Sequence, residues 1–415
     1  MVKSWRRIGS SSIARPSRRR FLTLGAGAGA ALVGTPGRAQ DNGAVGRSLG
    51  PGVGPYGERS PFETSQRLVP PTPNPEASIS WTPLQSTYGR ITPSALHFER
   101  HHAGIPALNP AEHRLVLHGR VNRPLQFTYE DLLRLPSVSR VHFIECAGNS
   151  FTEWAPETGA TAQQSHGLLS GSEWTGVPLR ILLEEAGVRP DAAWIVAEGA
   201  DAGRLSRSIP LSKAMDDALV AYGQNGEALR PAQGYPLRLV LPGFEGITNV
   251  KWLRRIEVTT EPSYARDETS RYTELLPDGS AWIFTYEMDV KSVITAPSGG
   301  QRLAAPGYHE IRGLAWSGRG RVRRAEVSTD GGASWLDADL DPLILPRALT
   351  PFRLGWRWTG EQATLISRAT DEAGYIQPTR EALIAARGVN SGYHHNAQKR
   401  WNVSTSGTVT AEGRS

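Results

Sequence analysis

The 415-residue chain contains one cysteine, Cys146, within the run HFIECAGNS at 142–150. A lone thiol cannot close a disulfide inside its own chain, and it cannot anchor a covalent c-type haem, whose C-x-x-C-H attachment run needs two. It can pack as a small hydrophobe, as most free cysteines do, or act as a thiolate that attacks or ligates. The residue alone leaves both readings open. Its setting is informative: Val141, Phe143 and Ile144 mark a strand, and Ala147-Gly148-Asn149 mark a tight turn. The thiol is therefore expected where a strand ends and a loop begins, a common place for a functional group on a rigid support.

The elements that must position it are legible as runs. RLVLHGRV (114–121), RVHFIEC (140–146), AWIVAEG (193–199), PLRLVLPG (236–243) and WLRRIEVTT (252–260) predict strands. TYEDLLRLP (128–136) and PLRILLEEAGV (178–188) predict short helices, the second stopped by Gly187. Mixed elements of this kind predict an α+β domain over 96–288. After Pro297 the texture turns all-β, with strand runs separated by Gly and Asp turns, which predicts a β-sandwich over 289–415. Its Asp330-Gly331-Gly332 is a hairpin signal and not a phosphate loop. Residues 40–95 are rich in Gly, Pro, Ser and Thr and predict an extended arm, wrapped on the body or partly disordered.

Residues 1–39 read as a leader. Arg18, Arg19 and Arg20 precede an apolar Gly/Ala-rich run from Phe21 to Val33, and small residues follow near Ala39. The run is shorter than the about 20 residues that a spanning helix needs. A twin-arginine export signal is the expectation, against a plain Sec signal or a short buried helix. Residues 1–40 hold eight of the 46 Lys and Arg and no acid, so the remainder carries 38 basic against 40 acidic residues. The high pI belongs to the leader, and a nucleic-acid partner loses its compositional support. Export in the folded state implies a cofactor inserted beforehand, a periplasmic destination and no membrane anchor once the signal is removed.

Several runs taken together resemble the sulfite oxidase family of molybdopterin enzymes: RHHAGIP (100–106), ECAGNS (145–150), RSIPL (207–211), GYPLRLVLPG (234–243), NVKWLRRIEV (249–258) and DEAGYIQPT…RGV (371–389). The resemblance spans about residues 90–405. Within the family, STYGRITPSALHFERHHAGIP, YGQNGEALRP and GLAWSGRGR resemble the sulfane dehydrogenase branch of thiosulfate oxidation (Sox). It implies a sulfite-oxidase-type molybdopterin domain with mixed sheets, followed by an immunoglobulin-like dimerisation sandwich. It further implies that Cys146 ligates molybdenum, a soft ligand for a metal that cycles between oxidation states. Arg100, Tyr272 and Arg387 match catalytic positions, and His102, Asp201, Arg238 and Lys251 match positions that hold the pterin and its phosphate tail. Two departures stand out. After Asn149, where animal sulfite oxidases carry a basic pair, this chain has Ser150 and Phe151, and Gln233 replaces a cofactor-binding histidine. Loss of a cation weakens the case for a free dianion as substrate.

The implied reaction is oxygen-atom transfer from molybdenum to a sulfane sulfur bound to a carrier protein of the Sox system. Electrons would leave to a c-type cytochrome subunit, since no haem motif lies in this chain. A homodimer or heterotetramer core is implied by the dimerisation domain. A sulfite dehydrogenase acting on free sulfite is the alternative, followed by a sulfoxide reductase. A reading of a different class is an exported binding or scaffold protein without metal.

Overall fold

The computed structural model describes residues 52–155, 160–389 and 392–412, so the leader lies outside the described residues. By its contacts the chain divides at Ser60, and residues 52–60 carry no helix or strand. All helices and strands of the described residues belong to the unit that begins at Pro61.

Local sequence sets most boundaries in the first half. Strands β1 (Ile79–Ser80) and β2 (Glu99–Arg100) pair antiparallel, with Ile79 opposite Arg100. The predicted arm is thus ordered from residue 61 to 95, and its β1 is a direct neighbour of Arg100. Next come β3 (Arg114–Gly119), β4 (Leu125–Thr128) and helix α1 (Tyr129–Arg134). The Thr128 hydroxyl accepts from Asp131 N–H at 3.1 Å while the Asp131 carboxylate accepts from Thr128 N–H at 2.9 Å, a reciprocal cap that starts α1. Strand β5 (Val138–Glu145) ends one residue before the cysteine. It is followed by α2 (Ala162–His166), β6 (Leu169–Pro178) and α3 (Leu179–Ala186). Gly187, at φ 69°, ends α3 by donating to the Leu183 carbonyl at 3.1 Å. The half closes with β7 (Trp194–Gly199), β8 (Ser206–Pro210), α4 (Leu211–Asp216), β9 (Leu219–Gln224), β10 (Glu227–Ala228), β11 (Arg238–Val240) and β12 (Leu253–Thr259). Helix α5 (Arg266–Thr269) then leads to a hairpin of β13 (Glu274–Leu275) and β14 (Ala281–Trp282).

Two five-stranded sheets result. One has the order β4-β3-β12-β7-β8, with β12 parallel to β3 and antiparallel to β7; the other runs β10-β9-β6-β5, with β11 on β9. Leu117, Ile195 and Ile256 of the first sheet share a core with Leu182 and Leu183 of α3 and with Val220 and Leu239 of the second.

The C-terminal half is antiparallel. Its strands are β15 (Lys291–Ala296), β16 (Gly307–Trp316), β17 (Val322–Ser328), β18 (Leu336–Asp337), β19 (Asp339–Leu340), β20 (Thr350–Trp358) and β21 (Ala363–Asp371). Helix α6 (Arg380–Arg387), β22 (Arg400–Val403) and β23 (Val409–Ala411) complete it. The sheets β15-β16-β20-β19 and β18-β17-β21-β22-β23 face each other across Ile311, Phe352, Val327, Leu365 and Trp401. The same cluster takes in Phe143 of β5 and Leu169 of β6. The sandwich therefore shares a core with the cysteine-bearing sheet, and the two halves pack as one unit.

Candidate active site

Cys146 is fixed by its backbone. Its N–H donates to the Leu168 carbonyl at 3.0 Å, and its carbonyl accepts from Asn149 N–H at 2.8 Å. Asn149 closes the turn from both ends: its amide donates to Glu145 at 2.8 Å and its oxygen accepts from Leu168 N–H at 3.1 Å. Glu145, with no exposed surface, is held in turn by Lys291 Nζ of β15 at 3.0 Å and Trp316 Nε1 of β16 at 2.6 Å. On the other side Gly246 comes so close that a Cβ there would stand 3.2 Å from the Cys146 Cα. The thiol opens into a cleft with about 680 Å³ of empty space, its open mouth included. Burial pushes the thiol up to about 11, with Gly148 N–H and Arg100 acting against it. It becomes a thiolate only when a cation takes the place of the proton.

Arg238, Lys251 and Arg100 bring cations to this cleft, and none of them has a carboxylate partner among the described residues. Arg238 is 3% exposed and donates to the carbonyls of Gln233 and Asn249, both at 3.1 Å, over the ring of Trp174. Its Nε has no hydrogen-bond partner, and burial lowers the guanidinium to about 9. Lys251 Nζ donates to the Arg100 and Ala232 carbonyls, both at 3.1 Å, and meets His101 Nδ1 at 2.8 Å; burial lowers its pKa well below the ordinary lysine value. Arg100 Nη1 is held by the Ala77 carbonyl at 3.0 Å, from the arm, and by the His101 carbonyl. Asp201 also lines the cleft and accepts from Leu205 N–H at 3.3 Å.

Tyr272 Oη lies 3.2 Å from His102 Nε2. Burial, aided by Arg100 and Lys251, lowers His102 to about 4, so its imidazole is neutral at pH 7 and its tautomer decides which of the two groups donates. Burial raises Tyr272 well above the usual phenol range, and the Cys146 thiol adds to that. Tyr393 stacks on Tyr272 at 4.9 Å.

Seven of the eight predicted site residues thus line one cleft: Arg100, His102, Cys146, Asp201, Arg238, Lys251 and Tyr272. Arg387 does not. At the end of α6 it is 9% exposed and bonded to Glu274 at 2.5 Å and Asp289 at 2.9 Å. Two carboxylates pair with its charge, so this structure does not place it in the cleft with the other seven. Phe151 is 49% exposed and is not among the residues that line the cleft. Ser150 has a structural reason. Its φ of 65° turns the hydroxyl onto the buried Lys291 Nζ at 2.9 Å, where a second cation would be repelled. Gln233 donates to the Phe98 carbonyl at 3.0 Å and accepts from Arg238 at 3.3 Å, which holds the guanidinium without adding charge. Sequence reasoning missed Arg207, buried beside Tyr272, although it opens the RSIPL run that carries part of the resemblance.

These residues fit a molybdopterin. A buried guanidinium that has an open Nε and, among the described residues, no carboxylate partner, as at Arg238, calls for an anion such as a phosphate tail. Among the described residues no three His, Cys, Asp or Glu converge on a metal, so a metal at Cys146 must arrive with other ligands, as it does in a pterin dithiolene.

Comparison with known proteins agrees. Residues 102–266 match the oxidoreductase molybdopterin binding domain and residues 283–400 the Mo-co oxidoreductase dimerisation domain. Mitochondrial sulfite oxidase of Mus musculus is 33% identical over 74% of this chain and 61% of its own. The NADH nitrate reductase of Solanum lycopersicum is 34% identical over 71% of this chain and 37% of its own. The chain thus spans about three fifths of the length of the sulfite oxidase it matches. It belongs to the sulfite oxidase family of molybdopterin proteins. Within that family it is similar to the crystal structure of the sulfane dehydrogenase SoxCD from Paracoccus pantotrophus: TM-score 0.86 and 45% identity, over 88% of this chain and 95% of that one.

Proposed function

We propose that this chain is the molybdenum-bearing subunit of a periplasmic sulfane dehydrogenase. It oxidises a sulfane sulfur carried on a partner protein and passes electrons to a c-type cytochrome. The observation that carries the enzymatic reading is the convergence of one thiol and three cations without carboxylate partners on a single cleft. The choice of a sulfane over sulfite is supported by the similarity to SoxCD.

When bound, the molybdenum cofactor supplies oxygen transfer and a two-electron store. The chain's residues do the rest. Cys146 would hold the metal, and Arg238 and Lys251 would hold the anionic tail. Arg100, fixed through Nη1, would present its other donors to negative charge on a ligand in the cleft. The hydrogen bond between Tyr272 Oη and His102 Nε2 holds the phenol oxygen at the cleft, where it can exchange a further hydrogen bond with water or substrate. The twin-arginine leader supports export in the folded state.

The test is metal analysis of protein from a molybdate-supplied host, then steady-state kinetics on carrier-bound sulfane and free sulfite with a cytochrome acceptor. Absence of molybdenum sinks the enzymatic reading. A higher kcat/KM for free sulfite installs the sulfite dehydrogenase in its place. Replacement of Arg18 and Arg19 by lysine is expected to leave loaded protein in the cytoplasm, as fractionation would show; unchanged export would refute the twin-arginine signal.

A further inference from the structure

Arg207 is not among the residues that line the cleft, yet it is 1% exposed and meets the segment that carries Tyr272 twice. From β8 its Nη1 donates to the Asp267 carbonyl of α5 at 2.5 Å. Its guanidinium lies over the Tyr272 ring, 5.1 Å from the centroid. Ser208, next on the strand, holds Glu268 of α5 through its N–H and, at 3.1 Å, through its hydroxyl. Two successive strand residues thus clamp a single-turn helix that runs directly into Tyr272. That tyrosine has φ of 54°, a left-handed backbone that a bulky residue keeps only where its surroundings over-determine it.

Arg207 does not offer a free charge to a substrate. Its Nη2 donates to Glu245 at 2.7 Å, and the other oxygen of that carboxylate, 1% exposed, faces His394 Nε2 at 3.2 Å. With its charge met inside the protein, the guanidinium offers the ring a flat face locked at both ends.

We infer that Arg207 is a positioning residue: anchored on Glu245 and the Asp267 carbonyl, it fixes the ring of Tyr272 so that the hydroxyl is presented to the cleft beside His102. The inference rests on the catalytic reading of Tyr272. A positional role differs from an electrostatic one in what lysine can rescue, because lysine can pair with Glu245 but cannot lie flat on the ring while also reaching Asp267.

The experiment uses the full, cofactor-loaded chain. In Arg207→Gln, kcat on carrier-bound sulfane is expected to fall on the order of 10²-fold, the scale of a misplaced group, with KM little changed. Arg207→Lys stays low. Arg207→Gln adds nothing in a Tyr272→Phe background, since both changes then remove the same contribution. Independently of turnover, 3-fluorotyrosine at position 272 gives one narrow fluorine resonance in the wild type and a broadened or split one in Arg207→Gln. The doubly neutral Arg207→Gln/Glu245→Gln, which leaves no unpaired buried carboxylate, shows the same change. Full rescue by lysine, additive losses in the cycle, or an unchanged resonance would overturn the inference. If Tyr272→Phe alone retains turnover, the catalytic reading of Tyr272 fails, and the resonance still decides whether Arg207 holds the ring.

Discussion

A thiol pushed up to about 11 by burial is a weak nucleophile and a weak ligand until a cation displaces its proton, so Cys146 is suited to a metal that arrives ready-made. Cys146→Ser is therefore expected to fold and to lose turnover by more than the roughly 10- to 100-fold that removal of an outer hydrogen bond to a metal ligand costs. A hydroxyl is the harder and weaker ligand. Near wild-type turnover with full molybdenum content would refute the assignment. At this scale the sequence was most legible where a residue's role is set by its neighbours in the chain. Cys146 at a strand end was readable from Phe143, Ile144 and the turn after them. The carboxylate partners of Arg387 sit 113 and 98 positions away, and the Lys291 partner of Ser150 is 141 positions away, so neither contact has a local signal in the sequence.

The elements supporting the cleft come from three parts of the chain, and the join that matters most is charged. Glu145 closes β5 directly before the cysteine, while Lys291 opens β15 of the sandwich; both are essentially fully buried. Breaking such a pair leaves one charge without solvent or partner, which costs about 3–5 kcal/mol. Lys291→Met should lower stability by that amount, as read from denaturant unfolding of the cofactor-free chain, and Glu145→Gln added to it should restore most of the loss. Two independent, additive losses would show that the pair does not join the halves. Strands and helices of the body were legible because β3, β7, β12 and α3 carry their own periodicity and caps. The arm was not. Strand β1 is two residues long, and its order comes from bonds to distant backbone, such as Thr82 N–H to the Gly167 carbonyl at 2.8 Å and Thr92 N–H to the Gly171 carbonyl at 2.8 Å. No local pattern announces such pairing.

At the scale of the whole molecule, the shared core and the buried polar joins make stability depend on pH in a defined window. Among the described residues no helix is long and apolar enough to cross a membrane, and the interior instead encloses several imidazoles. Burial lowers His142 from 6.5 to about 4 and His97 to about 3, and lowers His166 and His395 well below the ordinary value. For each, the unfolded chain binds a proton below about pH 6.5 that the folded chain refuses until its own lower pKa is reached. The stability is complete above 6.5, is lost as pH falls, and for His142 stops falling below about 4. His394 works in the opposite sense: against the effect of burial its bond to Glu245 raises its pKa, so its contribution is complete below about pH 6.5 and is lost as pH rises. Asp131 and Asp330, whose pKa values are lowered by hydrogen bonds from Thr128, Ser334 and Ser328, act only in a more acidic window. The decline between pH 6.5 and 4 is therefore assigned to the buried imidazoles. His142 tests this cleanly because it lies outside the cleft, held by the Arg347 carbonyl at 3.3 Å. His142→Asn removes one titrating group and should flatten the slope by up to about 1.4 kcal/mol per pH unit, measured as denaturant midpoints from pH 7.5 to 4.5 on the cofactor-free chain. An unchanged slope would mean that the His142 ring already takes up its proton inside the folded protein, and that the acid sensitivity of this fold arises elsewhere.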